Sequence, residues 1–212
     1  MDESTYRAVG FWAGVAALVV TFAGIGLAIA LSPTFSPDAN ALSNLGDSSD
    51  PAGTATTEIL FNGGLVVGGA LGVVFGAILA ITVRGRVVRA GAILFVVTMA
   101  LLAGIGIFPQ DSPYHFQVAA GFYTLFTVSA LVYGVGRLLA RRVRAGIGSV
   151  AAGLANLAIW SVWIATGALT RSGLAIPEIA GAVVVVLWVV GQSRLFRPGT
   201  SRSRSDVLHY RS

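Results

Sequence analysis

The chain has 212 residues, of which 55% are hydrophobic and only 11% charged, with a mean hydropathy of +0.81. So apolar a chain cannot close a soluble core behind a polar surface, which excludes a conventional globular enzyme and makes lipid its solvent. The net charge of +5 does not point to nucleic acid, because the arginines flank apolar tracts and form no soluble basic domain.

The absence of cysteine excludes a disulfide frame, a thiolate metal site and a cysteine nucleophile. The chain has no lysine, its basic side chains apart from two histidines all being arginine, and the apolar positions are mostly Ala, Val, Leu and Gly, a bias expected of a GC-rich prokaryotic genome.

Six apolar tracts follow in chain order, each long enough to cross a hydrocarbon layer of about 30 Å. They run over about 9–31, 58–83, 90–108, 114–139, 145–169 and 177–196. The first is too long for a secretory signal and lacks a cleavage pattern, so it reads as a helix of the mature protein. The predicted fold is all-α, a polytopic membrane protein built as a bundle of six transmembrane helices over 1–197. A basic tail at 198–212, rich in Ser and Arg, has nothing apolar to bury and is expected to be disordered.

Arginine placement predicts the orientation. Arg84, Arg86 and Arg89 join tracts two and three, Arg137, Arg141, Arg142 and Arg144 join four and five, and five more arginines follow tract six. The opposite connections hold only Arg171. By the positive-inside rule both termini are cytoplasmic and the protein resides in the cell membrane. Glu58, Asp111 and Glu178 lie at the outer starts of tracts two, four and six, where the helix dipole favours an acid.

The long outer connection at 32–57 contains LSNLGD, Leu42 to Asp47. Connections of that length are uncommon unless they act. Ser43, Asn44, Asp47 and Asp50 offer oxygen ligands or a nucleophile, and Leu42 and Leu45 suit docking onto the bundle. The competing explanation is a capped turn with Gly46 at positive φ. In FPQDSPYH, Asp111 or Ser112 is expected to cap tract four with Pro113 as its first residue and His115 within its first turn, leaving His115 as an interfacial anchor or imidazole base. Asn62 and Asn156 within the spans are expected to pair across helices. Gly64, Gly68, Gly72 and Gly76 recur every fourth residue and are expected to be helix-packing positions.

No Walker loop, HExxH, GxSxG, dinucleotide fingerprint or pair of haem-ligating histidines occurs in the spans, so no cofactor and no metal are expected. No ionisable residue lies at mid-membrane depth, which argues against a pump or proton-coupled transporter. The expected partners are membrane lipids, with no nucleic acid.

The ordered set LSNLGD, FNGG (Phe61 to Gly64), GIFPQDSPYH (Gly106 to His115) and PEIAGAVVVVLWVV (Pro177 to Val190) resembles domain-of-unknown-function family 998, uncharacterised prokaryotic six-helix membrane proteins. The resemblance spans about residues 9 to 195. It places the family pattern on Ser43, Leu45 and Gly46, on Phe108, Pro109, Asp111 and His115, and on Glu178 and Trp188. The chain departs at Ile176-Pro177-Glu178-Ile179, which lacks the Arg expected beside that Glu, so a salt bridge there is not implied. A fainter similarity of layout to the DRAM-like eukaryotic six-helix proteins implies a lipid-related role.

Together these readings predict a small polar pocket on the outer face from Ser43, Asn44, Asp47, Asp111, His115 and Glu178. The alternatives are a membrane-embedded metal-dependent hydrolase of lipid-like substrates and a permease for a small solute.

Overall fold

A computed structural model describes residues 3–166 and 173–196. Its six helices are α1 (Glu3–Leu31), α2 (Ala55–Thr82), α3 (Arg86–Ile107), α4 (His115–Leu139), α5 (Val143–Ala165) and α6 (Ala175–Ser193), the last extended by a short 3-10 turn, Arg194–Phe196. There is no strand among the described residues. All six helices are long and apolar enough to span a membrane, so the protein is a multi-pass membrane protein with an all-α fold. Arg171, the predicted end of span five at Leu169 and the basic tail lie outside the described residues.

Each helix packs against its neighbour in sequence and α6 returns to α1, closing a ring. One end of the ring carries the 32–54 connection, here the loop end. The other carries the arginine-bearing turns, here the arginine end.

Small residues set the helix spacing, because lipid tails are as apolar as leucine and only close packing separates a neighbour helix from lipid. A Cβ on Gly24 would lie 2.5 Å from the Leu60 carbonyl and 2.9 Å from Gly64 Cα. Residues four apart advance about 40° beyond a full turn. The glycine series of α2 therefore changes partner along its length: Gly64 and Gly68 meet Gly24 and Thr21 of α1, and Gly72 and Gly76 meet Met99 and Val96 of α3. Between α3 and α4, Ser129 Oγ donates to the Gly91 carbonyl at 3.0 Å. Between α4 and α5, Asn156 Nδ2 donates to Tyr123 O at 3.0 Å and to Thr127 Oγ1 at 2.8 Å.

Toward the arginine end the centre of the ring is closed by aromatic rings. Phe95 and Trp188 lie 4.7 Å apart between centroids, and Phe75 packs edge-on to Phe95 and to Phe196. Arg7 Nη2 donates to the Leu195 carbonyl at 3.0 Å, tying the start of α1 to the turn after α6.

Local details differ from the sequence expectations in three places. First, α4 starts at His115 and not at a cap on Asp111 or Ser112. A turn intervenes, with Ser112 N–H donating to Pro109 O at 2.8 Å and His115 N–H to Ser112 O at 3.1 Å. Second, Gly46 is not at positive φ, which among the described glycines occurs at Gly85 and Gly173. A side chain is excluded at Gly46 by contact: a Cβ there would lie 2.5 Å from Asn62 Oδ1 and 2.8 Å from the Phe61 ring. Third, Asn62 pairs with that loop and not with another helix, Nδ2 donating to Gly46 O at 2.8 Å. Glu58 sits in the first turn of α2, whose cap is Thr54, and accepts from Ser48 N–H at 3.1 Å.

Candidate functional site

The 32–54 connection folds inward as a lid over the loop end. Its apolar positions drive this: Leu45 is fully buried, Leu42 and Ala52 nearly so, and Leu42 and Leu45 pack into the core of the bundle. Leu42–Gly46 form a short 3-10 helix whose start is held by Asn44 Oδ1, accepting from Ala41 N–H at 2.6 Å. Asn44 Nδ2 donates to the Asp50 carboxylate, and Asp50 in turn accepts from Ala52 N–H at 2.8 Å. Asp47 accepts from the Ser49 hydroxyl and amide. These bonds hold the Asp47 carboxyl below the ordinary aspartate range, the hydroxyl contributing most.

Three long-range bonds then fasten the lid to the bundle. Leu42 N–H donates to Glu178 Oε2 at 2.7 Å, Ser43 Oγ donates to Gln110 Oε1 at 2.9 Å, and Ala175 N–H donates to Asn40 O at 2.9 Å. Gly173, at φ +94°, allows the chain to pass beside Asp38, whose carbonyl would lie 2.8 Å from any Cβ.

Beneath the lid lies a cavity inside the helix ring, bounded by α1, α2, α3, α4 and α6. Its atom-free space is about 840 Å³ with the open rim counted, of which about 80 Å³ admits the centre of a water-sized sphere. The cavity is therefore narrow. A single water needs roughly 10–15 Å³ by the second measure, so the space holds several water-sized groups and not a large ligand. Its shaft is apolar, with Phe61, Leu65, Phe75, Phe95, Met99 and Phe122 in the wall. Ser43, His115 and Glu178 line it at the lid, and Tyr123 on α4 and Thr21 on α1 are the polar side chains farther along its wall.

The hydrogen bonding of the three at the lid defines their chemistry. Ser43 Oγ spends its proton on Gln110 and keeps lone pairs. His115 Nδ1 lies 2.8 Å from the Phe108 carbonyl, which can only accept, so the proton is assigned to Nδ1 and Nε2 is left as an acceptor. Glu178 is buried in the first turn of α6, and Oε1 is without a hydrogen-bond partner among the described residues. Its backbone carbonyl accepts from Tyr123 Oη at 3.0 Å, which fixes this turn against α4. The Arg of the family pattern is missing beside Glu178, and the carboxyl meets a backbone amide. The three side chains thus offer acceptor atoms at one end of an apolar shaft.

The other sequence candidates lie elsewhere. Asn44 and Asp47 are engaged within the lid, and Asp111 is exposed on the turn before α4. Among the described residues no three His, Cys, Asp or Glu side chains come together in the manner of a metal site. Gln110 and Tyr123, which position Ser43 and Glu178, carry no sequence signal beyond Gln110 falling inside the FPQD stretch.

A family model described as "Protein of unknown function (DUF998)" matches residues 15–193. The chain belongs to the DUF998 family. The match to DUF998 runs from within α1 to the last residue of α6, so it takes in the lid, the cavity and all six helices. No curated protein and no solved structure matches the chain.

Proposed function

We propose that this DUF998 protein binds a single-chain amphiphile in its central cavity, with the lid at the extracytoplasmic face. The observation that carries this reading is the cavity's polarity: an apolar shaft capped at one end by Ser43, His115 and Glu178. Pockets that take amphiphiles combine a large apolar lining with a few placed polar groups. The shaft's narrowness favours one unbranched chain over a two-chain lipid.

The acceptor character of the cap favours a head group rich in donors, a polyol or an amine. A free carboxylate is disfavoured, since it would meet the Glu178 carboxyl and two further acceptors. The extracytoplasmic placement of the lid rests on arginine distribution, with the described arginine-bearing turns all at the opposite end.

The test compares binding of monooleoylglycerol and oleate to the full chain in mild detergent. Monooleoylglycerol is expected to bind at least about tenfold more tightly, equivalent to roughly 1.4 kcal/mol. Glu178→Gln, which puts an amide donor in place of the carboxyl, should narrow the gap chiefly by improving oleate. Equal affinity of the two in the native chain contradicts the reading.

A further inference from the structure

A second recess lies at the opposite end of the molecule, between α5 and α6. Its walls are one face of each helix: Arg144, Gly148, Ala152 and Ala155 recur at helical spacing on α5, as do Leu187, Gly191 and Arg194 on and just after α6. About 530 Å³ of it admits the centre of a water-sized sphere, several times the room in the central cavity. The glycines confirm that the space is not helix contact. A Cβ added at Gly148 or at Gly191 would meet no atom within 4 Å, unlike the glycines that separate the other helix pairs. An apolar groove of this size at the level of a bilayer leaflet suits acyl chains.

The charge at its mouth selects the head group. Arg144 begins the groove on α5 and Arg194 on the turn after α6. Both are exposed, and among the described residues neither has a carboxylate partner. Glu3, the described acid at this end, is engaged with Arg7 at 3.8 Å. Two guanidinium groups beside an apolar trough match a phosphodiester with its acyl chains attached.

We infer that the α5–α6 groove binds an anionic phospholipid, its phosphodiester between Arg144 and Arg194 and an acyl chain along Gly148, Ala152 and Gly191. The site is separate from the central cavity and does not depend on what that cavity holds. With the arginine end in the cytoplasm, the lipid comes from the inner leaflet.

The experiment uses the full chain, so that the basic tail contributes equally to every variant. Retention of phosphatidylglycerol and of phosphatidylcholine with the same acyl chains is measured by native mass spectrometry from mixed-lipid nanodiscs. The native chain is expected to retain phosphatidylglycerol selectively, about one molecule per chain. Arg144→Ala and Arg194→Ala should each weaken retention about fivefold, the effect of one basic residue at an anionic surface. Arg86→Ala with Arg89→Ala, which removes two charges from the same end on α3 against one in either single variant, should leave it unchanged. Gly148→Leu with Gly191→Leu, which fills open space with both arginines intact, should abolish the selectivity. Three outcomes overturn the inference: equal loss from the α3 pair, which means diffuse surface attraction; selectivity surviving the glycine pair, which means the groove is not occupied; or displacement by glycerol phosphate at matched concentration, which means the acyl chain contributes nothing.

Discussion

Leu42 and Glu178 are 136 residues apart, yet the Leu42 amide donates to the Glu178 carboxyl at 2.7 Å in a buried position. This bond joins the lid to the first turn of α6 and sets the polar cap of the cavity. Losing the acceptor leaves a buried N–H unpaired, at a cost of roughly 1–3 kcal/mol. Glu178→Ala is therefore expected to lower the thermal unfolding midpoint and to speed amide exchange at Leu42. Glu178→Gln, whose carbonyl oxygen still accepts, should retain most of the protection. Hydrogen exchange resolved to the Leu42–Gly46 segment checks both.

The α1–α2 contact predicts a sharp contrast between two nearby glycines. Gly24→Ala drives a methyl into the Leu60 carbonyl and Gly64 Cα, backbone atoms that can yield only by separating the helices. Overpacking of this kind costs about 1–3 kcal/mol. Gly26→Ala faces open space and should cost nothing measurable. Unfolding midpoints of the two variants in the same detergent decide it.

Asn156 bridges α5 to α4 through two bonds from one Nδ2. Polar contacts between membrane helices contribute about 0.6 kcal/mol on average and up to about 1.7. Asn156→Ala should destabilise within that range. Thr127→Val should remove part of the same energy, so the double variant is expected to fall short of the sum, as a double-mutant cycle measures directly.

Lid order should depend on acid in a defined direction. The Asp47 carboxyl is held below its ordinary range by Ser49, so its contribution is complete above about pH 4 and fades as pH falls through the lowered value. Amide exchange at Ser49, corrected for its intrinsic pH dependence, should rise in that acid range for the native chain and show no such step in Asp47→Asn.

The absence of cysteine opens a clean test of orientation. A single cysteine at Ser48 on the lid should react with an impermeant maleimide in intact cells, and one at Arg141 should react only after lysis. The reverse pattern would place the lid in the cytoplasm.

The helices were legible in the sequence because each apolar tract reports its own length, independent of any partner. The inward lid was partly legible too, since Leu42 and Leu45 had no other use in a polar connection, and both are buried. What spacing could not reveal is which surfaces meet. Glu178 read as an acid at a helix start and as a candidate for the outer pocket, but its bond to Leu42 depends on the ring bringing α6 beside the loop that follows α1. Asn62 read as a bridge between helices because its depth alone was visible, whereas its partner is the Gly46 carbonyl of the lid. At α4, Pro113 signalled a helix start correctly in kind but early in place, because Pro109 and Ser112 form a turn of their own. The cavity left no trace in sequence, since Phe61, Phe95 and Phe122 look like any apolar residues until the ring places them around a common space.

The most direct test of the central claim is photolabelling of the full chain with a monoacylglycerol bearing a diazirine in its alkyl chain, followed by peptide mapping. The account predicts labels on the cavity wall, at Leu65, Met99 and Phe122, and their loss in Ala119→Trp, which places an indole in the shaft. Labels confined to exposed positions such as Ile81 and Ile93, unchanged by Ala119→Trp, would contradict it.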